Sequence, residues 1–135
     1  MVNLKSDIMK NNIFILATLA LFLLPYSCNK EEPAPVSAAF TTNLQNNTMT
    51  AGERVTFYLE DATGEFLTYF RGDNEENSYG TGYGTILDLG IDSLVLPYYN
   101  EGTFTFTLVA ISYGNWGETV SQDNQSIDIT VEAAE

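Results

Sequence analysis

Aromatic and amide side chains gather in two glycine-containing segments of the chain. SYGNWGE (residues 112–118) carries the only tryptophan, and YGTGYGT (residues 79–85) carries two tyrosines. Aromatic rings in exposed loops can stack on the faces of sugar rings, and an amide can hold sugar hydroxyls. The candidate glycan-binding residues are Tyr79, Tyr83, Tyr113, Asn115 and Trp116. The alternative, favoured by the usual burial of tryptophan, is that Trp116 folds back and caps the end of the domain.

Acidic and amide residues follow one another in RGDNEEN (residues 71–77). Their oxygens suit calcium, and the weak candidates for a calcium site are Asp73, Glu75 and Glu76. Their spacing differs from that of an EF-hand loop, so a solvated acidic loop is the favoured interpretation and we predict no metal or cofactor. The tripeptide Arg71-Gly72-Asp73 also matches an integrin-recognition sequence, but a three-residue match is a weak signal.

Few side chains in this chain suit catalysis. It contains no histidine and only one cysteine, Cys28, so it lacks the common general base and cannot form a zinc site of the usual nitrogen and sulfur type. Paired carboxylates remain possible, as in glycosidases, but a single small domain offers little cleft to hold them. We therefore predict that the protein is not an enzyme.

The region before Cys28 indicates an export signal. A polar start with two lysines precedes the apolar run IFILATLALFLL (residues 13–24), which is shorter than the roughly 20 residues of a membrane-spanning helix. A positive start and a short apolar core are typical of a secretory signal peptide. With Ser27 before Cys28, the segment resembles a bacterial lipoprotein signal. The resemblance implies a signal peptide over residues 1–27, diacylglycerol and palmitate on Cys28, and a tether over residues 28–36.

The residues after Cys28 and the net charge bear on location and partners. NKEE (residues 29–32) resembles the signal that sends Bacteroidota lipoproteins to the outer face of the outer membrane, although a charged linker on a periplasmic protein would look similar. The net charge is −13, which argues against binding of nucleic acid and against contact with anionic head groups. We therefore expect an outer-membrane protein, exposed at the cell surface, that meets the membrane through its lipid anchor only.

Alternating apolar and polar residues dominate the chain beyond the tether. The pattern is clearest in RVTFYLE (residues 54–60), GTFTFTLVAIS (residues 102–112) and SIDITVE (residues 126–132). Such alternation is typical of half-buried strands, and we see no helix outside the signal. Short strands at regular spacing predict an all-β fold, a two-sheet antiparallel β-sandwich over residues 37–133. The residues expected to face the core are Val55, Phe57, Leu59, Phe104, Phe106, Leu108, Ala110, Ile127, Ile129 and Val131.

Three stretches resemble the PKD domain, an Ig-like sandwich named after the polycystic kidney disease protein. They are TMTAGERVTF (residues 48–57), TYFRGD (residues 68–73) and YYNEGTFTFTLVAIS (residues 98–112). LTYFRGDNEENSY (residues 67–79) also resembles a PKD-like variant found on Bacteroidota surface lipoproteins. The resemblance implies an Ig-like fold in which Tyr98 or Tyr99 forms a tyrosine corner. It also implies a spacer, or a module that binds carbohydrate or protein, rather than an enzyme.

These observations lead to two hypotheses about function. The first is an outer-membrane surface lipoprotein that acts as a noncatalytic binding module, with a polysaccharide as the first guess for its ligand. The alternative is a structural or protein-interaction accessory of a cell-surface complex. Indifference to sugars and co-purification with a larger membrane protein would favour the alternative.

Overall fold

The computed structural model describes residues 31–88 and 90–134. The predicted signal peptide, residues 1–27, and the predicted lipidation site Cys28 lie outside these residues. Within them, the structure contains no helix that is both long and apolar enough to cross a membrane.

Strands make up most of the described chain, which confirms the all-β prediction. Two single 3-10 turns, Glu75–Asn77 and Asn115–Gly117, are the helical elements of these residues. The strands are β1 (Ser37–Ala38), β2 (Thr41–Thr42), β3 (Thr48–Thr50), β4 (Arg54–Tyr58), β5 (Ala62–Thr63), β6 (Phe66–Phe70), β7 (Thr85–Leu87), β8 (Ser93–Pro97), β9 (Gly102–Gly114) and β10 (Thr119–Glu132).

The strands form a five-stranded sheet, here called the large sheet, and a three-stranded sheet, the small sheet. The large sheet has the order β3-β10-β9-β6-β7, and the small sheet has the order β2-β4-β8. Strands β1 and β5 add a separate two-stranded piece, which the alternation pattern did not predict because each of these strands has two residues. All pairs are antiparallel except β3 with β10, which run parallel.

The core lies between the inner faces of the two sheets. Phe57 of β4 stacks on Phe106 of β9 with ring centroids 3.7 Å apart, and Phe40 meets both rings edge-on. The predicted inward-facing residues are buried or pack against the core, so the alternation identified the inner faces correctly. The structure differs on the outer face of β9, where Thr107 and Val109 are only 1% and 4% exposed. Another part of the chain must therefore cover the outer face of the large sheet.

Candidate functional site

The connection between β6 and β7 covers the outer face of the large sheet. We call residues 71–84 the cover loop. Its Tyr79 ring meets the Phe70 ring edge-on at 5.2 Å, and its Tyr79 hydroxyl accepts a hydrogen bond from Gln122 Nε2 at 3.3 Å. Because β9 lies between β6 and β10, the loop must cross β9 to reach Gln122. This crossing explains the burial of Thr107 and Val109.

Hydrogen bonds within the cover loop hold it in one compact shape. Asn74 caps the first 3-10 turn by accepting from the Asn77 amide at 2.9 Å, and the Gly72 amide donates to the Asn77 carbonyl at 2.9 Å. The Tyr83 amide donates to the Glu76 carbonyl at 2.7 Å. Compact loops with internal contacts of this kind frequently carry function.

Gly72 sets how closely the cover loop approaches the sheet. Its φ is +71°, and a Cβ at this position would lie 2.8 Å from the backbone nitrogen of Thr105. A side chain would therefore meet the backbone of β9, which cannot move aside without disturbing the sheet. Gly72 therefore permits both the left-handed backbone after β6 and this close contact with β9.

A groove of about 350 Å³ lies between the cover loop and the large sheet. Its floor carries hydroxyls from alternate residues of β9 and from β10: Thr107 Oγ1 and Ser126 Oγ are 2.8 Å apart, and Thr105 Oγ1 donates to Asp128 Oδ1 at 2.6 Å. The volume falls in the lower range of small-molecule sites. The lining residues, all uncharged, are Gly72, Ser78, Tyr79, Thr103, Thr105, Thr107 and Ser126.

The predicted binding residues lie in two separate segments, the cover loop and the end of the β9–β10 hairpin. Tyr79 lines the groove, and Tyr83 is an exposed residue of the same loop. Tyr113, Asn115 and Trp116 belong to the end of the β9–β10 hairpin. Seven residue pairs of the ladder separate Thr107 on the groove floor from Gly114 at this end, which corresponds to about 24 Å along the strands. The Tyr79 hydroxyl reaches Gln122, which is only two pairs from Tyr113. The groove floor therefore lies far from Trp116, while Tyr79 extends from the groove toward the hairpin end.

Trp116 projects fully into solvent from the tip of the hairpin. The expectation that it caps the end of the domain is therefore wrong. The local backbone explains the difference, since Asn115, Trp116 and Gly117 all have positive φ values, 50°, 60° and 91°. Asn115 Nδ2 donates to Glu118 Oε2 at 2.6 Å and closes this tight turn. Left-handed backbone at a bulky residue costs about 1–2 kcal/mol, so the fold displays the indole at a cost in stability.

The Arg71-Gly72-Asp73 tripeptide anchors the cover loop. Arg71 contacts the Pro97 carbonyl and stacks over the Tyr98 ring at 5.2 Å, and its Nε lies 3.2 Å from Asp73 Oδ2. Arg71 Nε makes no hydrogen bond, so it contacts Asp73 as an ion pair. With Arg71 packed against Tyr98, the tripeptide has a structural role in the fold.

The calcium candidates do not converge on one point. Asp73 pairs with Arg71 and also accepts from Asn77 Nδ2 at 3.3 Å, while Glu75 and Glu76 are exposed in the 3-10 turn. Across residues 31–88 and 90–134, no three His, Cys, Asp or Glu side chains are arranged to hold a metal ion.

Tyr98 connects the cover loop to the core, whereas Tyr99 is 70% exposed. The Tyr98 ring is buried, and its hydroxyl donates to the Arg71 carbonyl at 2.9 Å. The predicted bond from a buried tyrosine to the backbone is thus present. A tyrosine corner would reach a carbonyl a few residues upstream, whereas Arg71 lies 27 residues earlier in the chain. Burial raises the pKa of Tyr98 well above its ordinary value, and the Arg71 guanidinium opposes that rise only in part.

Stability should fall above about pH 10 because of Tyr98. An unfolded tyrosine loses its proton near pH 10, whereas folded Tyr98 keeps it, so the stability present below pH 10 declines as the pH rises. Above pH 10, the free energy of unfolding should fall by about 1.4 kcal/mol per pH unit because of Tyr98. Urea unfolding between pH 8 and 11 measures it. Tyr98→Phe should remove this contribution to the pH dependence, and Tyr99→Phe should keep it. An unchanged pH dependence in Tyr98→Phe would contradict its assignment to Tyr98.

The hydroxyls on the groove floor were missed as site residues by the sequence analysis. The alternation of GTFTFTL assigned Thr103, Thr105 and Thr107 to the face opposite the core, which is correct. The run of threonines on one outer face was the only signal that the sequence offered. The contact between these threonines and the cover loop depends on the tertiary fold, so no local sequence pattern indicates it.

Comparisons with protein-family models and with curated proteins identify no relative of this chain. No protein-family model matches it, and no curated protein matches it significantly. The resemblance to PKD domains therefore rests on the residues quoted above, and the function must be argued from the groove and the fold.

Proposed function

We propose that this protein is an outer-membrane lipoprotein, anchored through Cys28, whose single PKD-like (Ig-like) domain binds a glycan without catalysis at the cell surface. The lipid anchor is supported by the signal-like residues 1–27. The Ig-like assignment is supported by two facing sheets and by β3, which pairs in parallel with the last strand.

The groove carries the proposal of a glycan ligand. Its walls combine the ring of Tyr79 with the hydroxyls of three threonines and two serines, and no charged residue lines it. A neutral ligand rich in hydroxyls would exchange hydrogen bonds with the floor while one sugar face lies against the ring. A phosphate or nucleotide would gain no cation here and would meet the acidic charge of the whole molecule.

The same lining supports a noncatalytic role. Glycosidases need two carboxyl groups on opposite sides of the scissile bond. Asp128, the carboxylate bonded to a groove residue, accepts the Thr105 hydroxyl and does not line the groove. A groove of this composition would hold a sugar and leave its bonds intact.

Replacing Tyr79 with alanine should weaken glycan binding at least tenfold, which corresponds to about 1.4 kcal/mol. Isothermal titration with a panel of plant, host and microbial polysaccharides, followed by titration of the variants, tests this. Tyr79→Phe should retain most of the affinity because it keeps the ring. Tyr99→Ala removes an exposed tyrosine that does not line the groove, and should bind as the unsubstituted protein does. Equal affinity of the two alanine variants would contradict the site.

A protein-interaction accessory is the second candidate, and an exposed sheet edge favours it. Strand β7 is the outer strand of the large sheet, and its Ile86 is 70% exposed. Open edges accept strands from other proteins. Co-purification with a larger membrane protein that is lost in Ile86→Lys, together with no binding to any polysaccharide, would favour this candidate.

A further inference from the structure

The chain before β1 leads toward the tip of the β9–β10 hairpin. The Phe40 carbonyl accepts from Gln125 Nε2 at 3.0 Å, and the Ala38 amide donates to Asp123 Oδ2 at 2.9 Å. Further back, the Pro33 nitrogen lies so close to Gly114 that a Cβ there would be only 2.6 Å from it. Followed from Phe40 back to Pro33, the chain therefore runs along β10 to the hairpin end.

This direction determines which end of the domain lies near the anchor. Cys28 comes three residues before Glu31, whose carbonyl also lies against Gly114. Three residues span at most about 11 Å. If Cys28 carries lipid, as proposed above, the bilayer surface must lie close to the hairpin end of the domain.

The hairpin end exposes apolar side chains that the fold itself does not cover. Trp116 stands fully in solvent, and Tyr113 and Val120 form a cross-strand pair behind it. Phe66 extends this surface, because its ring meets the Tyr113 ring edge-on at 5.9 Å. We call Trp116, Tyr113, Val120 and Phe66 the apolar tip. Trp and Tyr side chains suit the head-group region of a bilayer, where one part of the ring system is apolar and another is wet.

We infer that the apolar tip is a second, noncovalent membrane contact, with Trp116 in the head-group region of the bilayer that holds the Cys28 lipid. The inference rests on the lipid anchoring in the proposed function, and it replaces the expectation that the anchor is the protein's only membrane contact. The strained backbone at Trp116 would then serve this contact, because it directs the indole away from the domain and toward the bilayer. The contact would also orient the domain with Thr107 on the groove floor about 24 Å farther from the membrane than the hairpin end.

The charge around the tip indicates which lipids it tolerates. The acidic residues at this end are Glu31, Glu32, Glu65 and Glu118. Anionic head groups would repel them, so the tip should enter zwitterionic bilayers more readily than anionic ones.

Trp116 is the only tryptophan, so the native protein carries its own reporter. The full-length processed lipoprotein is reconstituted in phosphatidylcholine vesicles, and its fluorescence is compared with that of the mature chain carrying Cys28→Ser, mixed with the same vesicles. Lipidated protein should show blue-shifted emission, about twofold weaker quenching by acrylamide, and quenching by brominated phosphatidylcholine. Adding phosphatidylglycerol to the vesicles should reduce all three effects.

A second variant tests whether lipid anchoring alone would change the fluorescence of an exposed tryptophan. Tyr99→Trp in a Trp116→Phe background moves the reporter to an exposed position near Gly102, which pairs with Val131 at the opposite end of the ladder. On the same vesicles, this tryptophan should stay accessible to acrylamide and insensitive to brominated lipid.

The outcomes separate the anchor from the tip. Failure of the processed protein to float with vesicles would overturn both the lipid anchor and the inference. Flotation with Trp116 as accessible as in the Cys28→Ser chain would leave the anchor standing and overturn the inference. Shielding from acrylamide without quenching by brominated lipid would mean that protein, either a second copy or a partner, covers the tip, and would also overturn it.

Discussion

Phe106→Ala should lower the free energy of unfolding by about 3–5 kcal/mol. The Phe106 ring is fully buried and joins the two sheets. It stacks on Phe57 at 3.7 Å, meets Phe40 edge-on at 5.2 Å, and lies 6.1 Å from the Tyr69 ring. Truncation would remove these contacts and leave a cavity between two β-sheets that cannot close around it. Urea unfolding of the mature chain measures the change.

Phe66→Ala provides the matched control. Phe66 is the same residue type in the same sheet, but its side chain is 46% exposed on the outer face. Its loss should cost about 1 kcal/mol, in proportion to the smaller area that it buries. Equal losses for the two variants would mean that packing between the sheets does not dominate the stability of this domain.

The core could be predicted from the sequence because burial on one face of a strand imposes a period of two. Phe104, Phe106 and Leu108 alternate with threonines, and this pattern fixes which face is inward whatever the rest of the fold does. The very short strands β1 and β5 are too brief to show any period. The parallel pairing of β3 with β10 also has no local signature, since it joins residues that are distant in the chain.

The candidate site could be predicted only in part, for a related reason. Aromatic residues in a glycine-rich loop identified Tyr79, which does line the groove. The position of the loop depends on two contacts between segments that are distant in the chain. Gly72 packs against the backbone of Thr105, and the Tyr98 hydroxyl bonds the Arg71 carbonyl. Trp116 was expected to fold back because tryptophan is usually buried, but three successive left-handed residues in the turn override that tendency.

Gly72→Ala should both destabilise the domain and disable the groove. The new methyl group would meet the backbone of Thr105, and alanine would be strained at a φ of +71°. Together these effects should lower the free energy of unfolding by about 2–4 kcal/mol. Relief of the clash requires the cover loop to move away from β9. That movement would displace Tyr79 from the hydroxyls of Thr107 and Ser126, so glycan affinity should fall at least as far as in Tyr79→Ala.

Gly80→Ala separates the clash from the backbone strain, because Gly80 lies in the same loop with a φ of +90° and a Cβ there would have no neighbour within 4 Å. This variant should lose only about 1 kcal/mol and keep its affinity for the glycan. If Gly72→Ala remains folded and binds as tightly as Gly80→Ala, the spacing between the loop and β9 does not govern recognition. If Gly72→Ala loses binding and Gly80→Ala does not, the close contact between Gly72 and β9 is required to form the binding groove on the outer face of the large sheet.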